Sequence, residues 1–355
     1  MLEDINKIAD KITETVKNDS YGANIRPDYL REAMFDYPSR GGKRLRPALF
    51  YWCFNMCGGE EIAGLEKCAA APEIWHNWTL VHDDIIDEDI MRRNAPTQHI
   101  SLAKTAEQSN FEKTVQTDKY GKDMALLCGD LQQGWAVDIL IRGGREAKLA
   151  PDLILDMIQR LELRANTELI SGEALDIELA AKKLEDISVS DVMHMIDLKT
   201  GALFRCSCEL GAMAALGYGK GREFEKISDF ALYLGRAFQL QDDILGTFGE
   251  AKKLGKDIGS DLRERKTTVL LLKTLECADD ISREVIHSVI GKADLSEADI
   301  EAARNAMERS GAYDFVKAEV EHCFDCALDA LSHFPMNRGR KNLESLIEYL
   351  RSREK

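Results

Sequence analysis

Proline is scarce in this chain of 355 residues: seven occur, at positions 27, 38, 47, 72, 96, 151 and 335, so residues 152 to 334 contain none. Proline removes a backbone donor and interrupts helices, so that span is expected to be nearly continuous helix. Alternating runs of β-branched residues closed by Asn-Gly or Asp-Gly turns are missing, and no sheet is expected. No stretch approaches 18 uninterrupted apolar residues, which argues against a membrane span, and the start MLEDINKIAD carries acids where a secretory signal needs bases. A cytoplasmic protein is expected. Bases are also in deficit, with 47 Lys and Arg against 62 Asp and Glu and a net charge of −15. A nucleic-acid partner is therefore disfavoured, and affinity for phosphorylated ligands must come from local basic clusters or bridging cations.

Cysteine is present but without a framework. The nine cysteines are odd in number and lie mostly in apolar text, so they read as reduced thiols packed as small hydrophobes. Cys323 and Cys326 have CxxC spacing with His322 beside them, yet no second ligand pair stands at zinc-finger distance. The segment GEAKKLGKD suggests a phosphate-binding loop, but Asp257 stands where such a loop needs Ser or Thr.

Apolar residues recur at helical spacing in LILDMIQRLELRANTELISGEALDIELA, in VMHMIDLKTGALFRCSCELGAMAALG and in DFALYLGRAFQLQDDIL. Breaks are expected at GYGKGR (217 to 222), between Gly246 and Gly259, and along the polar stretch from Ala95 to Gly121. These features give an all-α fold, a single-domain bundle of about ten or more helices over residues 1–355.

Three motifs carry chemistry. In HDDIIDEDIMRR (82 to 93), Asp83 and Asp87 are four apart and share a helix face, with Asp84 alongside. Like charges so placed repel unless a cation neutralises them, and hard carboxylate oxygens favour Mg2+ that keeps waters and takes phosphate oxygens. In FQLQDDILG (238 to 246), a second apolar helix ends in Asp242 and Asp243, followed by Lys256 and Lys266. Two such helices facing each other across an apolar cavity could clamp Mg2+ on one diphosphate and make it a good leaving group. A solvated acidic face is the competing account of either pair by itself. In GGKRLRP (41 to 47), Lys43, Arg44 and Arg46 form a cationic patch suited to a second diphosphate, or else a basic surface at the start of a helix.

Taken in order, GGKRLRP, DDIID with Arg92 and Arg93, Lys199 with Thr200, FQLQDD, Lys256 and Lys266 resemble the trans-isoprenyl diphosphate synthase family. The resemblance covers about residues 35 to 270. It implies an isoprenoid-synthase bundle, a homodimer, and head-to-tail condensation of isopentenyl diphosphate with an allylic diphosphate (dimethylallyl, geranyl or farnesyl). By that resemblance Asp83, Asp84, Asp87, Asp242 and Asp243 hold three Mg2+ ions per active site. Arg92, Lys199, Lys256 and Lys266 contact the allylic diphosphate, and Thr200 and Gln239 support the region of the carbocation. Lys43, Arg46, His76 and Arg93 bind the isopentenyl diphosphate. His76 lies two helical turns before Asp83, on the same face. A satisfied core histidine is the reading without the resemblance.

The chain departs from the family pattern twice. Gly246 stands where many members have a third aspartate, so metal ligation is expected to be weaker or completed through water or Asp257. The residues SLAKTAEQSNFEKTVQTDK, about 100–119, lengthen the passage to Tyr120 and Gly121 and are read as a polar insertion forming a mobile flap. Two other readings stay open: a terpene cyclase on the same scaffold, and a non-catalytic subunit that binds prenyl diphosphates. Trp78 and Trp75 precede Asp83 by five and eight residues, about 7.5 and 12 Å along a helix. Either indole could form a floor that stops chain growth, the alternative being ordinary core packing. By resemblance to archaeal-type short-chain synthases the product is geranylgeranyl diphosphate (C20), with farnesyl diphosphate (C15) second. If Trp78 is the floor, Trp78→Ser gives longer products on reversed-phase chromatography; an unaltered product profile assigns the indole to packing alone.

Overall fold

A computed structural model describes residues 1–249 and 259–352. The helices are α1 (Leu2–Lys17), α2 (Asp28–Ser39), α3 (Leu45–Met56), α4 (Leu65–Ile86), α5 (Gln98–Gln108), α6 (Thr117–Glu146), α7 (Pro151–Ile158), α8 (Asn166–Ala181), α9 (Val189–Ile196), α10 (Ala202–Leu216) and α11 (Arg222–Phe248). After the undescribed stretch come α12 (Ser260–Arg263), α13 (Val269–Cys277), α14 (Asp280–Val289), α15 (Glu297–Arg309), α16 (Ala312–Ser332) and α17 (Arg338–Arg351). The expected all-α architecture is what the chain adopts. Its contacts group into two compact units, Met1–Leu161 with Ser207–Gly219, and Glu162–Cys206 with Lys220–Lys355.

In the first unit α4 runs along α6, which also carries α5. Glycines on α6 permit the approach: a Cβ added at Gly143 would fall 2.8 Å from the Cys68 backbone nitrogen, and one at Gly129 2.4 Å from His82 Nε2. Helix α3, LRPALFYWCFNM, is apolar nearly all round and buried on most faces, as its composition requires. In the second unit α11 packs on α16, and α8 packs on a π-helical segment, Asp197–Gly201, between α9 and α10.

Three details differ from the sequence reading. A two-stranded antiparallel hairpin, β1 (Met91–Arg92) with β2 (Ala95–Pro96), follows α4; its turn residues Arg93 and Asn94 have φ of 54° and 60°. This is the left-handed pair a tight hairpin requires, supplied without the glycine that would announce it. Pro38 and Pro72 lie inside α2 and α4 rather than between helices. The stretch from Ala95 to Gly121, read as a break, is mostly ordered by the hairpin and α5, whose Leu102, Ala103 and Ala106 are buried; only residues 109–116 connect it to α6 without helix.

The start of α3 is fixed by a buried ion pair. Arg44, with φ 46° after the left-handed Gly41 and Gly42, turns inward and bonds Glu73 of α4, Nη1 to Oε1 2.7 Å, and also donates to the Pro38 carbonyl. Both side chains are essentially excluded from solvent. Arg44→Met leaves Glu73 buried and unpaired, and is expected to lower unfolding stability by about 3–5 kcal/mol in denaturant titration. The double replacement Arg44→Met with Glu73→Leu is expected to recover much of that loss.

Candidate active site

Helix α4 ends at Ile86 with Asp83 and Asp84 in its last turn and Asp87 immediately after. Carboxylates at a helix C-terminus face the negative end of the macrodipole, so the fold must compensate them. Arg92 of β1 does part of this: its Nη2 lies 3.3 Å from Asp83 Oδ2 and 3.3 Å from Asp89 Oδ2, and its Nε bonds Asp84. The other Asp84 oxygen accepts from Tyr37 Oη, which itself accepts from the Gln98 backbone N–H at 3.1 Å. Asp84 is buried, and burial pushes its carboxyl upward against the opposing pull of Arg92 and Tyr37. Asp84 thus braces Arg92, whereas Asp83 is partly exposed and Asp87 exposed, one turn apart.

Beside this end lies a cationic pocket. Arg93, at the hairpin turn, donates to the Gly41 carbonyl at 2.7 Å and the Tyr37 carbonyl at 3.3 Å. Arg46 is pushed down to about 10 by burial, with Arg93 adding repulsion and Glu73 opposing it. The His76 imidazole is held well below its ordinary value by burial, then by Arg46, Arg93, Arg92 and Arg44. Lys43 is exposed on the adjoining Gly42–Arg44 turn. Four of the basic residues singled out in the sequence, Arg46, His76, Arg92 and Arg93, are therefore neighbours, and the buried acid among them, Glu73, is engaged by Arg44. Such an arrangement has the charge to take an anion.

The second unit builds a cleft lined by Asp176, Lys199, Thr200, Gln239, Asp243, Lys266 and Thr267. Lys199 and Thr200 are presented by the π-helical segment, and a Cβ added at Gly172 of α8 would stand 2.3 Å from the Lys199 backbone nitrogen. Such irregular turns are frequent at functional positions. Lys199 Nζ is shared by Glu173 (2.8 Å) and Asp176 (2.7 Å). Thr200 Oγ1 donates to Gln239 Oε1 at 2.8 Å, and Gln239 Nε2 donates to Asp243 Oδ1 at 2.9 Å. Asp243 is pushed up to about 7 by burial, with Lys266 at 3.8 Å opposing the shift. Asp242, next to it on α11, is partly exposed. Lys256 and Asp257 lie outside the described residues.

Sequence reasoning missed several contributors. Tyr37 and Glu73 hold Asp84 and Arg44, and nothing in their spacing marks them. Glu173 and Asp176 are three apart on α8, a pattern shared with any solvated helix face. Asp261 is the most informative: a Cβ added at Gly246 would lie 2.7 Å from Asp261 Oδ2, so this carboxylate occupies the room a side chain at 246 would need. Its position five residues before Lys266 was the available sequence clue. Trp75 and Trp78 are both buried and meet edge to face at 4.7 Å, with Trp78 5.6 Å from His82.

The donors fit a divalent cation. Among the described residues no three His, Cys, Asp or Glu side chains gather closely enough to enclose an ion. What the chain offers is open, hard oxygen ligation by Asp83 and Asp87 at the end of α4 and by Asp242 and Asp243 in the last two turns of α11. That suits a cation which retains water and completes its shell with ligand oxygens.

The profile of a family described as Polyprenyl synthetase matches residues 27–307. The geranylgeranyl diphosphate synthase of Saccharolobus solfataricus is 32% identical over 350 residues, covering 97% of this chain and 94% of that protein. The geranylfarnesyl diphosphate synthase of Aeropyrum pernix is 33% identical over 336 residues, covering 94% and 96%. Among solved structures, the geranylgeranyl pyrophosphate synthetase of Pyrococcus horikoshii superposes with a TM-score of 0.84 at 29% identity, covering 99% of both chains. The geranylgeranyl pyrophosphate synthase of Corynebacterium glutamicum, complexed with isoprenyl diphosphate and magnesium, gives 0.85 at 26% identity, also over 99% of both. The acid-ended helices and the basic turn thus lie within a stretch whose likeness runs the length of the chain, and the chain belongs to the polyprenyl synthetase family.

Proposed function

We propose that this prenyltransferase condenses isopentenyl diphosphate head to tail with an allylic diphosphate, giving geranylgeranyl diphosphate. The observation that carries the reading is the cationic pocket, where Arg93, donating to the Gly41 and Tyr37 carbonyls, stands beside the buried Arg46 and His76 and all three are held below their ordinary values, first by burial. The relatives named for C20 and C25 products support a short chain.

In this reading Lys43, Arg46, His76 and Arg93 bind the isopentenyl diphosphate. Asp83 and Asp87, with Asp242 and Asp243, would hold Mg2+, three ions per site, for the allylic diphosphate. Asp84 takes a different part from that first assigned to it: with both oxygens engaged, it orients Arg92 toward that diphosphate. Bound Mg2+ would supply neutralisation of charge on the departing diphosphate. Lys199, Lys266 and Lys256 add positive charge, and the Thr200–Gln239–Asp243 chain of hydrogen bonds fixes the wall where the cation forms. The allylic carbon–oxygen bond breaks, the isopentenyl double bond attacks the resulting cation, and a proton is lost to the released diphosphate. No protein nucleophile takes part. The side chains position substrates and exclude water.

Homodimerisation is supported by Leu163, Ile170 and Ile177, exposed at seven-residue intervals along one side of α8 and its preceding turn. Nine free cysteines favour the cytoplasm, and among the described residues no helix is long and apolar enough to cross a membrane.

Product chromatography after incubation with isopentenyl diphosphate and dimethylallyl, geranyl or farnesyl diphosphate tests the function. A C20 product that disappears on chelation of Mg2+ is expected, and failure to condense any primer overturns the reading. Asp261 is proposed as the acid that stands in for the missing aspartate at 246. Asp261→Asn is expected to weaken Mn2+ affinity, measured by electron paramagnetic resonance, by about ten-fold. Gly246→Asp, although it restores the usual motif, is expected to weaken binding as well, because its Cβ collides with Asp261. The exchange Gly246→Asp with Asp261→Gly is expected to restore it.

A further inference from the structure

The second unit contains another cavity, of about 570 Å³, well within the range of small-molecule sites. Its floor is aliphatic, made by Leu184 and Ile187 from the connection between α8 and α9 and by Leu272 and Leu275 of α13. Arg283 and His287, one turn apart on α14, stand on its rim. None of these residues has a part in the chemistry above. Of the acids on the rim, Glu276 is paired with Lys273 at 3.0 Å and Glu185 is solvent-exposed. The ion contact of Arg283, to Asp280 at 3.6 Å, involves an almost fully exposed carboxylate, a weak pairing that an incoming anion can replace.

The cavity and the substrate cleft share two elements at opposite ends. Val189 and Ser190, in the first turn of α9, line the outer cavity; Met195 and Ile196, in its last turn, line the cleft and lead directly to Lys199 and Thr200. Leu272 and Leu275 of α13 line the cavity, while Thr267, just before that helix, lines the cleft beside Lys266. An occupant of the cavity therefore touches two short helices, α9 and α13, that adjoin the segments carrying Lys199 and Lys266.

We propose that the outer cavity is a second binding site for a prenyl diphosphate, with the tail on Leu184, Ile187, Leu272 and Leu275 and the diphosphate on Arg283 and His287, and that its occupancy alters affinity in the cleft. The choice of ligand rests on the condensation assigned above, whose product is an amphiphile of this kind: an uncharged lipid leaves the two bases unused, and free diphosphate leaves the aliphatic floor unused. Binding here uses the Arg283 guanidinium and the His287 ring nitrogens, so it requires no divalent metal, unlike binding at the aspartates.

The test is calorimetry of the full chain with geranylgeranyl thiolodiphosphate, whose carbon–sulfur bond resists ionisation. One molecule is expected to bind per chain in EDTA and a second once Mg2+ is added. Arg283→Glu, a surface change, and Leu275→Glu are each expected to weaken the EDTA-resistant binding at least ten-fold. Both should leave initial turnover at low product concentration unchanged. Filling the outer cavity is expected to change the affinity of the Mg2+-dependent event at least five-fold in the wild type and not in Arg283→Glu. Absence of EDTA-resistant binding, its persistence in both variants, or independence of the two events overturns the proposal. EDTA-resistant binding lost in Arg283→Glu, in a protein that condenses no primer, supports the outer site while removing the enzymatic reading.

Discussion

Negative charge held where a helix least favours it is the constraint on which the rest of the molecule is arranged. Asp83 and Asp84 sit in the last turn of α4, at the negative pole of its dipole, and Asp242 and Asp243 lie within the last two turns of α11. Packing alone cannot keep such groups ionised. Arg92 and Tyr37 tie down one cluster, and Lys266 with Gln239 ties down the other. Even so, Asp243 is left far above an ordinary carboxylate. Burial is what raises Asp84 and Asp243, the buried member of each pair, and nearby positive charge opposes it.

The cationic turn is the mirror of this. Arg44 is removed from it by burial against Glu73, and Arg46 and His76 are held below their ordinary values first by their own burial and then by neighbouring guanidinium groups. Left-handed backbone at Gly41, Gly42, Arg44 and Arg93 shapes this pocket, and it is tolerated because each strained arginine is anchored by its guanidinium.

What could be read from the sequence was what depends on neighbours along the chain. The helical periodicity, the i and i+4 aspartates and the run GGKRLRP are local, and the all-α fold followed from them. Arg44 looked equivalent to Lys43 and Arg46, because only the approach of α4 decides which base turns inward. The hairpin after α4 escaped notice since an arginine, not a glycine, takes the first left-handed position. Pro72 did not end α4, whose packing against α6 outweighs a lost backbone bond. Asp261 was invisible as a partner of Gly246 because the two stand fifteen positions apart, beyond the spacing at which one helix brings side chains together.

The hairpin of β1 and β2 sets two successive guanidinium groups to different tasks, Arg92 on the acidic end of α4 and Arg93 on the turn that frames the basic pocket. That corner of four residues thereby couples the acidic end of α4 to the basic pocket. Tilting it to suit one contact would misplace the other, so neither can be reshaped alone. Change in this scaffold is thus channelled away from the corner and toward residues that neither guanidinium touches.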